Sequence, residues 1–207
     1  MSDRGRPIFA WFYSKLAGYE EKRGLGELRD EVVRPAEGTV LEIGAGTGLN
    51  FAHYPQGVTV VATEPDPHML KRAVPAAASA RVPVQVRSAP GQALPFEDDS
   101  VDTVVGTFVL CTVPDPSAVL AEANRVLKPG GRYLFVEHVR ADDPKLARRQ
   151  DRIERLWGLF AGGCHPNRDS VAAIARSAFS LERAERFAFE PAPKLIRPHA
   201  KGVARKG

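Results

Sequence analysis

The sequence predicts an α/β protein: a doubly wound, Rossmann-like sheet of seven mostly parallel strands, closed by an antiparallel pair at the C-terminus. Three observations predict it. Apolar strand-like runs alternate with helical patterns through most of the 207 residues, an order that buries a parallel sheet between helix layers. The first run, "TVLEI", passes straight into a glycine turn, "GAGTG". The second, "VTVVATE", ends on an acid, Glu64.

Composition sets the outer bounds. A chain of 207 residues is one domain that can bury a core without covalent staples. Its 43% hydrophobic and 26% charged residues are ordinary for a globular protein. The net charge of +4 is spread along the chain, concentrated only modestly from Lys145 to Arg155 and at the C-terminus. A nucleic-acid surface would need basic residues clustered with aromatics, so none is expected. Two cysteines, Cys111 and Cys164, make no disulfide framework and fit a reducing cytoplasm. Paired C-x-x-C spacing is absent, so no metal is expected either. No apolar run approaches a membrane span, and the N-terminus lacks the features of a secretory signal.

Residues 1–36 are expected to form a helical lid, because Ile8, Phe9, Trp11, Phe12, Leu16 and Tyr19 lie close together. Weak contact with a membrane surface is the alternative use of such a segment. Residues 37–141 read as a cofactor-binding core. Here "TVLEI" and "VTVVATE" are followed by a short third strand in "PVQVR" and a long loop. "VDTVVGTFVLCTV" is uninterrupted apolar sequence and is expected to be one fourth strand buried on both faces. Val119, Leu120, Ala123, Val126 and Leu127 form one helical stripe, stopped by Pro129 and the glycines after it. "RYLFVEHV" is the fifth strand. Residues 142–207 read as the substrate side. Asp142 and Asp143 before Pro144 start a helix carrying Leu146, Ile153, Leu156, Trp157 and Phe160. "GGCHPNRD" interrupts it, a shorter helix follows around Val171 and Ile174, and strands near 181–189 and 199–206 end the chain.

In such a sheet ligands bind beyond the carboxyl ends of the strands. Gly44, Gly46 and Gly48 let the backbone approach a ligand closely. A dinucleotide fingerprint would place its third glycine at Leu49, and no phosphate-binding lysine follows. Glu64 stands where an acid can accept both hydroxyls of a ribose. The pair describes a nucleoside site without a pyrophosphate cradle.

The segments "LEIGAGTG", "EPDPHML", "GQALPFEDDSVDTVVGTFVL" and "EANRVLKPGGRYLFVEH" closely resemble the class I S-adenosylmethionine-dependent methyltransferases. That resemblance implies the cofactor S-adenosylmethionine. It implies that Gly44, Gly46 and Gly48 border the methionine portion, with Glu42 nearby, and that Glu64 holds the ribose. Pro65 and Met69 would flank the adenine, and Thr107 would offer its carbonyl to the ammonium. Many relatives carry an acid where this chain has Pro90, so Gly91 and Gln92 are expected to meet the adenine amino group instead. Tyr13 would cap the cofactor and Trp11 close the acceptor pocket.

The flanks "GTGLNFAHYP", "VEHV", "GGCHPNRDSV" and "IRPHAKGVARK" resemble the small-molecule thiol S-methyltransferases. The implied acceptor is a small, hydrophobic thiol; phospholipid N-methyltransferases share the glycine turn and "YP" and supply the alternative. A thiol with a reference pKa of about 8.5 needs help to ionise at neutral pH. His138, after the fifth strand, and His165 are the candidate catalytic groups, each weighed against a purely structural use. Cys164 as a nucleophile is redundant, because the sulfonium is already an activated methyl donor.

Overall fold

The computed structural model describes Pro7, Ala10 and residues 21–207. Trp11 and Tyr13 therefore lie outside the described residues. The seven strands are β1 (Thr39–Ile43), β2 (Thr59–Thr63), β3 (Val84–Arg87), β4 (Val101–Thr107), β5 (Leu127–His138), β6 (Phe179–Ala188) and β7 (Pro198–Lys206). They form one sheet in the order β3-β2-β1-β4-β5-β7-β6. Strands β1 to β5 pair in parallel, and β7 runs antiparallel to both β5 and β6. The helices are α1 (Gly26–Val33, after a π-helical turn at Glu21–Leu25), α2 (Pro67–Ala78), α3 (Pro116–Val126), α4 (Pro144–Phe160) and α5 (Ser170–Ala175).

Alternate residues of each strand feed two hydrophobic layers, as the two-residue period of a strand requires. Val40 packs on one side with Leu28, Val33, Phe51, Val60 and Ala73. Leu41 and Ile43 pack on the other with Val104, Leu120, Ala123, Tyr133 and Ile174.

One sequence device starts three helices. Asp66, Asp115 and Asp143 are N-caps, and Pro67, Pro116 and Pro144 follow them. Proline has no N–H to leave unpaired and its φ already suits the first turn. Asp115 accepts the N–H groups of Ser117 at 2.9 Å and Ala118 at 3.1 Å. Asp115→Ala should therefore cost about 1 kcal/mol, seen as a Tm lower by about 2–4 °C in thermal unfolding.

Three expectations need correction. The fourth strand stops at Thr107, well short of Val113. Phe108 adopts a left-handed φ of 59°, and the chain turns there because Glu137 on β5 captures the next three N–H groups. Buried strand and buried turn are equally apolar, so hydrophobicity could not separate them. The α3 helix ends at Val126, because Leu127 is already extended and pairs with Val101. On α4, Leu156 and Phe160 are exposed rather than packed, as is Leu159. The buried residues of that helix are Ala147 and Gln150. Gln150 holds it by accepting the Ala141 N–H at 2.8 Å and donating to the Leu195 carbonyl at 3.0 Å. Among the described residues no helix is long and apolar enough to cross a membrane.

Candidate cofactor and acceptor site

The carboxyl ends of β1, β2, β4 and β5 bring together most of the residues singled out in the sequence. Gly44, Gly46 and Gly48 all have positive φ, but they serve different ends. A Cβ on Gly46 would meet nothing within 4 Å, so its backbone borders open space. A Cβ on Gly44 would lie 3.1 Å from Val109, which seats the turn after β4 against the glycine turn. A Cβ on Gly48 would sit 2.5 Å from the Phe51 ring and 3.0 Å from Ala76. Gly48 thus also serves packing against α2, which no side chain at this position could allow. Gly48→Ala should cost about 2 kcal/mol through overpacking and left-handed strain, lowering Tm by about 4–8 °C.

Glu64 is buried at the end of β2. Its Oε2 accepts the Gly46 N–H at 2.8 Å and its Oε1 the Asp66 N–H at 2.8 Å. Burial pushes its pKa up to about 7 against the pull of these two bonds. Glu42, at the end of β1, is likewise pushed up to about 7 by burial. It accepts the Tyr54 hydroxyl at 2.7 Å and the Asn50 amide at 3.0 Å. The same Asn50 amide reaches the Thr107 hydroxyl at 3.1 Å. Arg29, buried on α1, donates to Asn50 at 3.0 Å and to Glu21 at 2.8 Å. Met69 and Gly91 are buried beside this region, and Pro65 and Gln92 half-buried. Gly91 cannot be larger: its Cβ would lie 2.9 Å from Ile43.

The residues expected to face the acceptor gather at the end of β5. Glu137 is fully buried and accepts the N–H groups of Val109 at 2.9 Å, Leu110 at 2.8 Å and Cys111 at 3.0 Å. Arg168 closes the same turn from the far side, donating to the carbonyls of Leu110 (2.8 Å) and Val113. The His138 ring lies 4.7 Å from those of both Phe108 and His199. His199 is packed in aromatic rings, and burial, with His138 beside it, pushes its pKa down to about 3. It is a neutral structural group.

In "GGCHPNRD" the two candidate groups part company. His165 turns to Glu154 on α4, while its N–H donates to the Cys111 carbonyl at 2.7 Å. Cys164 is the residue that reaches inward: its Sγ lies 3.4 Å from His138 Nδ1. Cys111 Sγ approaches the same nitrogen at 3.7 Å. The hydrogen-bonded Cys164 thiol, and then burial, push the Cys111 thiol well up. Asp169 caps α5 by accepting the Ala172 N–H at 3.1 Å.

Sequence reasoning missed Arg29, Asn50 and the clamp made by Glu137. Arg29 gave no signal, being one charge in an amphipathic helix. The acid before "HV" was visible, but its partners are backbone groups that carry no side-chain signature.

A seven-stranded sheet in this order, with a glycine turn after the first strand and a buried acid ending the second, defines a class I methyltransferase fold. The chain belongs to the S-adenosylmethionine-dependent methyltransferases, as relatives more than 30% identical over nearly its whole length show, and the family described as Methyltransferase domain matches residues 41–135. It is 32% identical over 202 residues to a thiol S-methyltransferase of Homo sapiens, covering 96% of this chain and 83% of that one. It is 35% identical over 121 residues to a phosphatidylethanolamine N-methyltransferase of Cereibacter sphaeroides, covering 58% of this chain and 60% of that one. Its fold matches a geranyl diphosphate methyltransferase solved with S-adenosylmethionine, with a TM-score of 0.70, 16% identity, and 91% and 87% of the two chains covered. The protein is a methyltransferase, and its cofactor is S-adenosylmethionine. The residues present fit that group: open space beside Gly46 borders a buried carboxylate whose oxygens each keep a second lone pair beyond their backbone bond.

Proposed function

We propose that the protein methylates the sulfur of a small, hydrophobic thiol. One observation carries this reading: similarity to a thiol S-methyltransferase runs over 96% of the chain, flanks included, and not only over the shared cofactor core. The N-methyltransferase alternative rests on a match to 58% of the chain.

In this reading Glu64 accepts the ribose hydroxyls, and Gly44 and Gly46 border the methionine portion. Glu42 shapes that wall through Asn50, and the Thr107 carbonyl meets the ammonium. Pro65 and Met69 flank the adenine, while Gly91 and Gln92 meet its amino group; Tyr13 would cap it. The transfer is an in-line displacement, so the chain's main task is to align acceptor sulfur with methyl carbon and exclude water. His138, between the thiols and Phe108, stands on the acceptor side.

Incubating the full chain with methyl-labelled cofactor and a panel of thiols, amines, phenols and phosphatidylethanolamine vesicles tests the reading. Label should pass to thiols; transfer to amines or phosphatidylethanolamine alone would replace it with the N-methyltransferase reading. His165→Ala should lower thiol methylation far less than the ~100-fold that loss of a general base costs, because His165 is engaged by Glu154.

A further inference from the structure

Cys111, His138 and Cys164 are 53 residues apart at their extremes, yet their ligand atoms all lie within 4.8 Å of one another. They come from three elements: the turn after β4, the end of β5 and the turn after α4. Zinc–sulfur and zinc–nitrogen bonds at a tetrahedral angle put sulfur and nitrogen about 3.6 Å apart. The observed separations from His138 Nδ1 are 3.7 Å and 3.4 Å. Thiol-to-imidazole hydrogen bonds have similar lengths, so what marks the site is that both thiols converge on one ring nitrogen from separate elements.

The surroundings hold the three groups in place. The Glu137 carboxylate accepts the Cys111 N–H, and the Cys111 carbonyl accepts the His165 N–H, which ties one cysteine loop to the other. The His138 ring is fixed between Phe108 and His199. Outer contacts of this kind orient metal ligands. Two thiolates and a neutral imidazole also cancel the charge of a divalent ion, which keeps burial cheap. Thiolate with imidazole selects zinc over the oxygen-seeking cations, and three protein ligands leave a fourth position open.

We propose that Cys111, His138 and Cys164 form a zinc site whose open position takes the acceptor thiol as a thiolate. The second half rests on the thiol reading; the first does not. On coordination the acceptor S–H proton passes to solvent, since a metal-bound thiol is held deprotonated. The bound sulfur attacks the methyl carbon, the carbon–sulfonium bond breaks, and its electron pair stays on the sulfur of S-adenosylhomocysteine. The product thioether is neutral and a poorer ligand, so it leaves.

The test uses the full chain, purified anaerobically, stripped with chelator, kept reduced with a phosphine, and titrated with cobalt(II) and then zinc. One cobalt per chain should bind, with thiolate-to-cobalt charge transfer and tetrahedral bands, and zinc should displace it. Cys164→Ser and His138→Gln should each weaken binding by at least ~10-fold. Adding benzyl mercaptan to the cobalt protein should then shift the charge-transfer band. Absence of the band in the unsubstituted chain overturns the metal site without relying on any variant. So do unchanged affinity in the Cys111→Ser/Cys164→Ser chain and a Cys111–Cys164 disulfide in anaerobic protein. A band that ignores the added thiol overturns the acceptor role and leaves the metal site standing. Intact metal binding with no methylation of any thiol overturns the thiol reading, and the acceptor role with it, while the metal site stands.

Discussion

Glu64→Gln should weaken S-adenosylmethionine binding by about 100-fold in calorimetric titration, the equivalent of two charge-assisted hydrogen bonds reduced to neutral ones. The amide can still accept through one oxygen, so the turn at Gly46 has a partner and the fold should survive. The pH dependence provides a second, sharper readout. Burial raises the Glu64 pKa to about 7, and only the ionised form is the strong acceptor. Affinity should therefore rise from pH 6 to pH 8 by up to ~10-fold, the change in the competent fraction, and be flat in Glu64→Gln. Stability of the unliganded chain should move the opposite way. A carboxyl whose folded pKa is raised contributes stability that is complete below its unfolded pKa of 4.5 and is lost as pH rises through about 7. Glu42 and Glu64 both act in that window. If affinity were pH-independent in the parent chain, Glu64 would already be ionised across this range, and the Glu64→Gln loss alone would test the ribose contact.

Glu137→Ala is expected to cost at least ~4 kcal/mol, the largest single loss of stability in the core. It would strand three buried N–H donors, at Val109, Leu110 and Cys111, and each unpaired buried donor costs about 1–3 kcal/mol. Glu137→Gln should cost about half as much, since the amide oxygen keeps the Val109 and Leu110 bonds while its NH₂ faces the Cys111 N–H. Urea unfolding followed by circular dichroism measures both, and the midpoint should fall in the order parent, Gln, Ala. Equal midpoints would mean that the turn is held by Arg168 alone, through the carbonyls of Leu110 and Val113.

Much of this fold was legible because local rules and global demands agree. The Asp–Pro pairs mark three helix starts through capping chemistry that needs no tertiary partner. Continuous apolar runs mark strands covered on both faces, and the alternation of strand and helix implies a parallel sheet. The glycine turn and Glu64 were readable because their spacing follows from one strand–turn unit and its neighbour. The end of β4 was not readable. It depends on an acid 30 residues further along the chain that claims the N–H groups a longer strand would have used, and apolar sequence looks the same in either case. Nor did the apolar stripe of α4 announce that its last turn would stand clear of the sheet.

The sequence by itself determined the α/β class, the glycine turn and the acid that faces it, since each is written in short-range patterns with a 2- or 3.6-residue period or a capping signature. Only the tertiary structure decided which side chains gather at the end of β5. "GGCHPNRD" offers a cysteine and a histidine side by side, but adjacent residues project in different directions. One met Glu154 on α4, and the other met His138 and Cys111. Side chains separated by tens of residues converge only when the sheet order sets β4 beside β5 and lays the turn after α4 across both, and no local spacing records that convergence.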